Sequence, residues 1–168
     1  MATTVGRRRT IAVMGALETM PTAAVIDRVL GVGAAGHADV REQMTAAHDA
    51  AWEATSARLL ELCRVRIASM LGCAAEASAR TADTGVAPEL LDAIAAWPSD
   101  PRFDDADRAC LAFTEHYVID VASVDDQTVG AVREHLGDAG VQNFVSALLV
   151  IEQRIRLRLV WDRLLGGD

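Results

Sequence analysis

Cys73, Glu76 and Arg80 recur at i, i+3 and i+7 in the stretch MLGCAAEASAR, and Glu61 stands twelve residues before the cysteine. A helix carrying all three would present a thiol, a carboxylate and a guanidinium along one face. A guanidinium is permanently charged and matches a planar carboxylate, so Arg80 is the candidate anchor for an anionic group of a small-molecule substrate. Glu61 and Glu76 are the candidates to move a proton, because a carboxyl in an apolar pocket has its pKa raised towards neutral pH. Cys73 completes the catalytic set by shaping the pocket, without being oxidised in turnover. The same residues also have a plainer reading. Glu76 and Arg80 are one turn apart in the favourable order for a surface salt bridge of about 0.2 to 0.5 kcal/mol, and Glu61 has Arg58 and Arg64 three residues away on either side. Ala74, Ala75, Ala77, Ser78 and Ala79 are small enough to pack helices closely or to leave room for a ligand, and the sequence does not choose.

Further polar groups fall on apolar stripes. His116 and Tyr117 continue the stripe of Ala109, Cys110 and Phe113, where either can aim a polar tip into the same cavity or serve as a core residue with one hydrogen bond. His116 is the best-placed group to titrate near neutral pH. Glu152 and Arg156 lie among apolar neighbours near the C-terminus, which favours a mutual bridge over a substrate-binding carboxylate. Cys63 and Cys110 read as buried core thiols, and His37, His48 and His135 receive no role.

Helices must position these groups. Thr55 or Ser56 caps a helix in which Leu59, Leu62, Cys63, Ile67 and Met70 recur at helical spacing, and Gly72 breaks it. The quoted stretch then starts a short Ala-rich helix stopped near Gly85. Before it, a polar helix is expected from Ala38 to about Trp52, and after it Pro88 opens PELLDAIAAW. The acidic turn of DDADRACLAFTEHYVID suits a helix N-terminus. A helix to about Leu136, a break at Gly137 and a long run to Leu165 follow. The start of that run, from Val141 to Ile151, leaves almost no polar face, so it should be buried on all sides. A chain this small rarely surrounds a helix alone, so a homo-oligomer is expected to bury it. No alternating strand pattern occurs.

The totals agree and exclude several classes. With 168 residues, 51% apolar but only 4% aromatic, the chain suits one domain of closely packed helices. Residues 1–21 read as an N-terminal arm and residues 22–168 as the domain. A net charge of −8, with Arg7, Arg8 and Arg9 as the single dense basic run, argues against a nucleic-acid partner. Arginines before the apolar run from Ile11 to Leu17 imitate an export signal, but Glu18 interrupts that run, and nothing approaches a membrane span. Three unpaired cysteines point to the cytoplasm, no four-ligand metal spacing appears and no cofactor is implied.

The block LLELCRVRIASMLGCAAEASAR, followed by LLDAIAAW, DRACLAFTEHY and the long last helix, resembles the carboxymuconolactone decarboxylase and alkylhydroperoxidase D superfamily over roughly Ser56 to Leu165. The resemblance implies an all-α helical bundle of the alkylhydroperoxidase D-like type, oligomeric through its apolar C-terminal helix. The peroxidase branch carries a Glu, a Cys twelve residues later, a second Cys three further on and a His four beyond that. Glu61 and Cys73 match the first two places, whereas Glu76 replaces the resolving cysteine and Arg80 the histidine. Glu76 forms no disulfide and Arg80 shuttles no proton, so the dithiol cycle is lost. The decarboxylase branch then implies a non-redox enzyme of lyase or isomerase type, performing decarboxylation, isomerisation, dehydration or cyclisation on a small organic acid or carbonyl compound. The alternatives are a catalytically inactive ligand-binding or scaffold homologue and a single-cysteine peroxidase-like protein that uses an external thiol.

Overall fold

Helix α2 (Ala57–Leu71) is the centre of the molecule. The computed structural model describes Thr22, residues 24–26 and residues 38–166. The N-terminal arm expected over residues 1–21 lies outside them. Around α2 are arranged α1 (Ala38–Ala54), α3 (Ala74–Ser78), α4 (Pro88–Asp92) with a 3-10 turn over Ile94–Ala96, α5 (Asp105–Ile119) with a 3-10 turn over Val121–Ser123, and α6 (Asp126–Gly166). Among the described residues there is no strand, and the helices form one domain around a single core.

Local chemistry sets most of the boundaries. Ser56 caps α2 by accepting from the Leu59 N–H at 3.5 Å. At the other end Gly72 adopts φ 71°, and the Gly72 and Cys73 N–H groups fold back on the Ser69 and Ala68 carbonyls at 3.3 and 2.8 Å, a left-handed stop that glycine adopts without penalty. Asp104 and Asp107 cap α5 reciprocally, at 2.8 and 3.2 Å. The span α6 is two helices that meet at Gly137, whose φ of 69° and ψ of 172° no helix accommodates, where the sequence places the break.

The core runs through Leu60, Leu62 and Ile67 of α2, Leu111 of α5 and Phe144, Leu148, Ile151 and Ile155 of α6, all essentially inaccessible to water. Phe113 joins α5 to α6 through Phe144, with ring centroids 6.0 Å apart. Salt bridges tie the helices from outside this apolar layer: Arg58 of α2 grips the buried Asp107 of α5 at 2.5 Å, and Arg66 meets Glu115 at 2.7 Å, where Trp97 also donates at 2.6 Å.

Three features differ from the sequence pattern. Helix α3 ends at Ser78, not near Gly85, because Ala79 turns extended (φ −64°, ψ 149°) and tertiary partners capture the next backbone groups. Helix α2 is buried well beyond its apolar stripe, for Leu60, Glu61, Arg64 and Val65 are enclosed too. Among the described residues the apolar run of α6 is covered on one side: Phe144, Ala147, Leu148 and Ile151 are buried, while Leu149 is 49% exposed. Among the described residues no helix is long and apolar enough to cross a membrane.

Candidate functional site

Arg64 organises the polar interior. It leaves α2 one turn after Glu61 and grips that carboxylate with both prongs, Nε to Oε2 and Nη2 to Oε1, each at 2.8 Å. Its third nitrogen, Nη1, donates to Glu76 Oε2 at 2.9 Å and to the Glu76 carbonyl at 2.7 Å, while Nη2 also reaches the Ala79 carbonyl at 2.8 Å. Arg64 therefore caps the C-terminal end of α3 and stops the helix there. Thr81 completes Glu61 from the extended segment, through its N–H to Oε1 at 3.1 Å and its hydroxyl to Oε2 at 2.8 Å. Both oxygens of Glu61 accept twice, and the side chain is fully buried.

These partners decide the charge of Glu61. Burial pushes its carboxyl up, but the hydrogen bonds and charge of Arg64 and the two donors of Thr81 outweigh burial and hold it below the usual range. That is the reverse of the raised carboxyl expected from an apolar pocket. Glu61 is an ionised, saturated acceptor.

Glu76 points inward rather than along the surface. Besides Arg64, it accepts a close hydrogen bond from the Thr22 hydroxyl. Thr22 in turn lies 3.5 Å from Nη1 of Arg158, a fully buried arginine of α6 whose Nε faces both oxygens of Asp162 at 2.9 and 2.8 Å. A chain of polar contacts thus runs from Glu61 on α2, through Arg64 and Glu76, across the neutral Thr22 hydroxyl to Arg158 and Asp162. Cys73, the N-cap residue of α3, is 2% exposed beside it. Burial raises the thiol's pKa, the Glu76 backbone hydrogen bond lowers it, and the charges of Glu76, Arg158 and Asp162 act around it, for a net upward shift.

Arg80 stands apart from this group. It lies beyond the end of α3, pairs with Asp92 at 2.6 Å and donates to the Ala77 and Ala79 carbonyls on the protein surface. The single face of Cys73, Glu76 and Arg80 does not form, because the helix lacks the turn that would bring Arg80 round. His116 is exposed at the end of α5, not aimed into the interior. Tyr117 is half-buried and stacks on Phe113 with centroids 6.3 Å apart; burial and then the Glu152 charge raise its pKa, with Arg156 opposing. Glu152 makes the expected bridge, with Arg156 donating at 2.9 and 2.7 Å. Among the described residues no hydrogen bond or ion pair joins that bridge to the Arg64 group.

The remaining cysteines are core thiols. Burial raises both, Cys63 strongly and Cys110 up to about 12, and all three cysteines are free. Among the described residues no cluster of His, Cys, Asp and Glu is arranged to hold a metal ion.

Sequence reasoning left Arg154 and His48 unassigned. Arg154 of α6 borders an apolar groove of about 270 Å³ between α1 and α6, lined also by Met44, Ala47, Leu149, Val150, Gln153 and Leu157. Burial lowers its pKa, and the Glu76 and Asp49 charges offset this only in part. His48 of α1 accepts from Trp52 Nε1 at 3.1 Å; burial and then the Arg154 charge lower its pKa, against Asp49 and Glu76. The usable signal was position: Arg64, Arg154 and Arg158 each interrupt an apolar helix face, where a cation needs a reason to be.

Fold and interior together define the class, an all-helical single domain in which buried ion pairs join α2 to α3 and the Thr22 hydroxyl relays that group to Arg158 of α6. No family model matches the chain, and neither the curated proteins nor the solved structures contain a match.

Proposed function

We propose that this chain is a divergent carboxymuconolactone decarboxylase-like protein that has abandoned thiol redox chemistry and binds a small organic acid. The observation that carries the reading is the double grip of Arg64 on Glu61 and Glu76. It converts the two carboxylates at the active-site places of the resemblance, Glu61 at the family glutamate and Glu76 at the resolving cysteine, into a clasp between α2 and α3, with Glu61 holding no site for a transferable proton. Cys73 supports the non-redox part, since a buried thiol with a raised pKa offers little thiolate to a peroxide. This favours the ligand-binding homologue over the lyase or isomerase and over the single-cysteine peroxidase.

The acid/base enzyme keeps one observation in its favour. Glu76 retains 13% of its exposure beside Cys73 and is the one clasp carboxylate within reach of solvent. A second copy of the chain would dock on the outer face of α6, where Val160 is 50% and Leu164 71% exposed.

The test is a screen of small carboxylic acids, keto acids and lactones by thermal shift, with two activity controls. The reading expects carboxylates to stabilise the protein, no consumption of hydrogen peroxide with dithiothreitol, and no exchange of substrate α-protons in D2O. Peroxide turnover that disappears in Cys73→Ser restores the peroxidase. Proton exchange that disappears in Glu76→Gln restores the acid/base enzyme. Sedimentation as a monomer at micromolar concentration removes the α6 interface.

A further inference from the structure

We infer that a second copy of the chain packs on the outer face of α6 in an antiparallel, twofold arrangement, with Glu152 opposite Arg156 of the partner subunit and Leu149 opposite Val160 of the partner subunit. The inference rests on the reading that a copy docks on α6, and it fixes the orientation and register of that docking.

The order of residues on this face carries the argument. Val145, Leu149, Glu152, Arg156 and Val160 follow one another at steps of three and four residues, so they form one stripe on the helix that follows Gly137. The stripe is open: Leu149 is 49% and Val160 50% exposed, and Arg156 keeps 45% of its side chain in water. From either end an apolar residue is followed by a charge, and the two charges are opposite in sign. A twofold interface demands such a pattern, because whenever one residue meets a second across the axis, the second meets the first. An axis crossing the helix near residue 154 forms both ion pairs and both apolar contacts at once, and it sets the half-buried Val145 opposite Leu164 of the partner subunit.

The same charges reject the other orientation. A parallel pair would set Glu152 against Glu152 of the partner subunit and Arg156 against Arg156 of the partner subunit, placing like charges at the centre of the contact. The bridge within one chain also leaves capacity for a second. Oε1 of Glu152 accepts both Arg156 bonds, at 2.9 and 2.7 Å from Nε and Nη2. Among the described residues Oε2 of Glu152 accepts no hydrogen bond and Nη1 of Arg156 donates none. The antiparallel arrangement brings that acceptor and that donor to their complements across the axis, so the two bridges join into four charges of alternating sign.

Sedimentation equilibrium and disulfide trapping of the full chain test this. Wild type should form a dimer at micromolar concentration. Glu152→Arg and Arg156→Glu should each weaken the dimer at least about tenfold, and an equimolar mixture of the two should regain wild-type association, since each supplies the charge the other lacks. Orientation is read at exposed positions that leave the bridge intact. Air oxidation should link Leu149→Cys to Val160→Cys in a mixture and leave Leu149→Cys alone unlinked, because antiparallel packing separates its two copies by about 16 Å along the axis. The native cysteines are buried and do not compete. Linkage of Leu149→Cys alone, or none in the mixture, overturns the antiparallel register while leaving docking on α6 intact. A mixture of the charge variants that associates no better than either one overturns the Glu152 to Arg156 contact; should Glu152→Arg fail to fold, the cysteine pair decides. A wild type that stays monomeric removes the docking and the inference together.

Discussion

Two arginines of this chain, Arg64 on α2 and Arg154 on α6, are both withdrawn from water, and they differ in what meets them. Arg64 is enclosed by two carboxylates and two backbone carbonyls, and every one of those acceptors gains from it. Arg154 borders an apolar groove and feels the Glu76 and Asp49 carboxylates only at a distance. A buried charge whose partners belong to its own chain is part of the architecture, and removing it leaves those partners stranded. One that feels its carboxylates only at a distance recovers less of its desolvation cost, and removing it strands no hydrogen-bond partner. The contrast separates the clasp that holds α2 to α3 from a charge on α6 that no close carboxylate meets among the described residues, although the sequence marks the first region as the reactive one.

The largest effect should come from breaking the clasp. Arg64→Met leaves Glu61 buried without a counter-charge and uncaps α3, so urea unfolding should show a loss of about 3 to 5 kcal/mol. Adding Glu61→Gln to that variant should recover part of the loss, since the stranded charge is gone; strict additivity in the double-mutant cycle would mean that the two side chains are not coupled.

Glu61→Gln alone keeps the shape but weakens four hydrogen bonds to an ionised acceptor, for about 1 to 3 kcal/mol at neutral pH. Its pH dependence is more specific. The folded pKa of Glu61 is depressed, so its contribution is complete above the unfolded value of about 4.3 and is lost as pH falls through the folded one. The wild type should therefore lose stability on acidification below about pH 4.5, and Glu61→Gln should lose less over that same window. Parallel acid limbs in the two proteins would show that Glu61 is not the group responsible.

Gly72→Ala probes the joint that presents α3 to Arg64. A Cβ there meets no atom within 4 Å, so the cost is the left-handed backbone alone, about 1 kcal/mol in thermal or urea unfolding. A loss of several kcal/mol would indicate that the turn itself, and not Arg64, positions the clasp.

The smallest effect is the sharpest on the comparison. Arg154→Met removes a desolvated charge and, among the described residues, no hydrogen bond, so it should change stability by no more than about 0.5 kcal/mol, or raise it. A loss comparable to that of Arg64→Met would abolish the distinction between the two arginines.

Several elements were legible residue by residue. The start of α2 follows from Ser56 and its end from Gly72, α5 from the acidic turn at Asp104 to Asp107, and the break in α6 from Gly137. The Glu152 to Arg156 bridge is likewise where helical spacing puts it. These features depend on neighbours within one or two turns, which the order of residues specifies. The partnership of Glu61 with Arg64 lay within the same range, but its burial did not: whether a pair three residues apart is solvated or enclosed depends on which helices pack over it.

The sequence by itself determined an all-helical chain, its breaks and the cysteines that have no pairing partner, because backbone propensity, caps and periodicity act locally. Only the tertiary structure decided that Glu76 turns inward to Arg64 and Thr22 while Arg80 turns outward to Asp92. The physical reason is that a side chain 12 residues away on another helix captured the α3 carbonyls before the helix could complete the turn that would have aligned Cys73, Glu76 and Arg80.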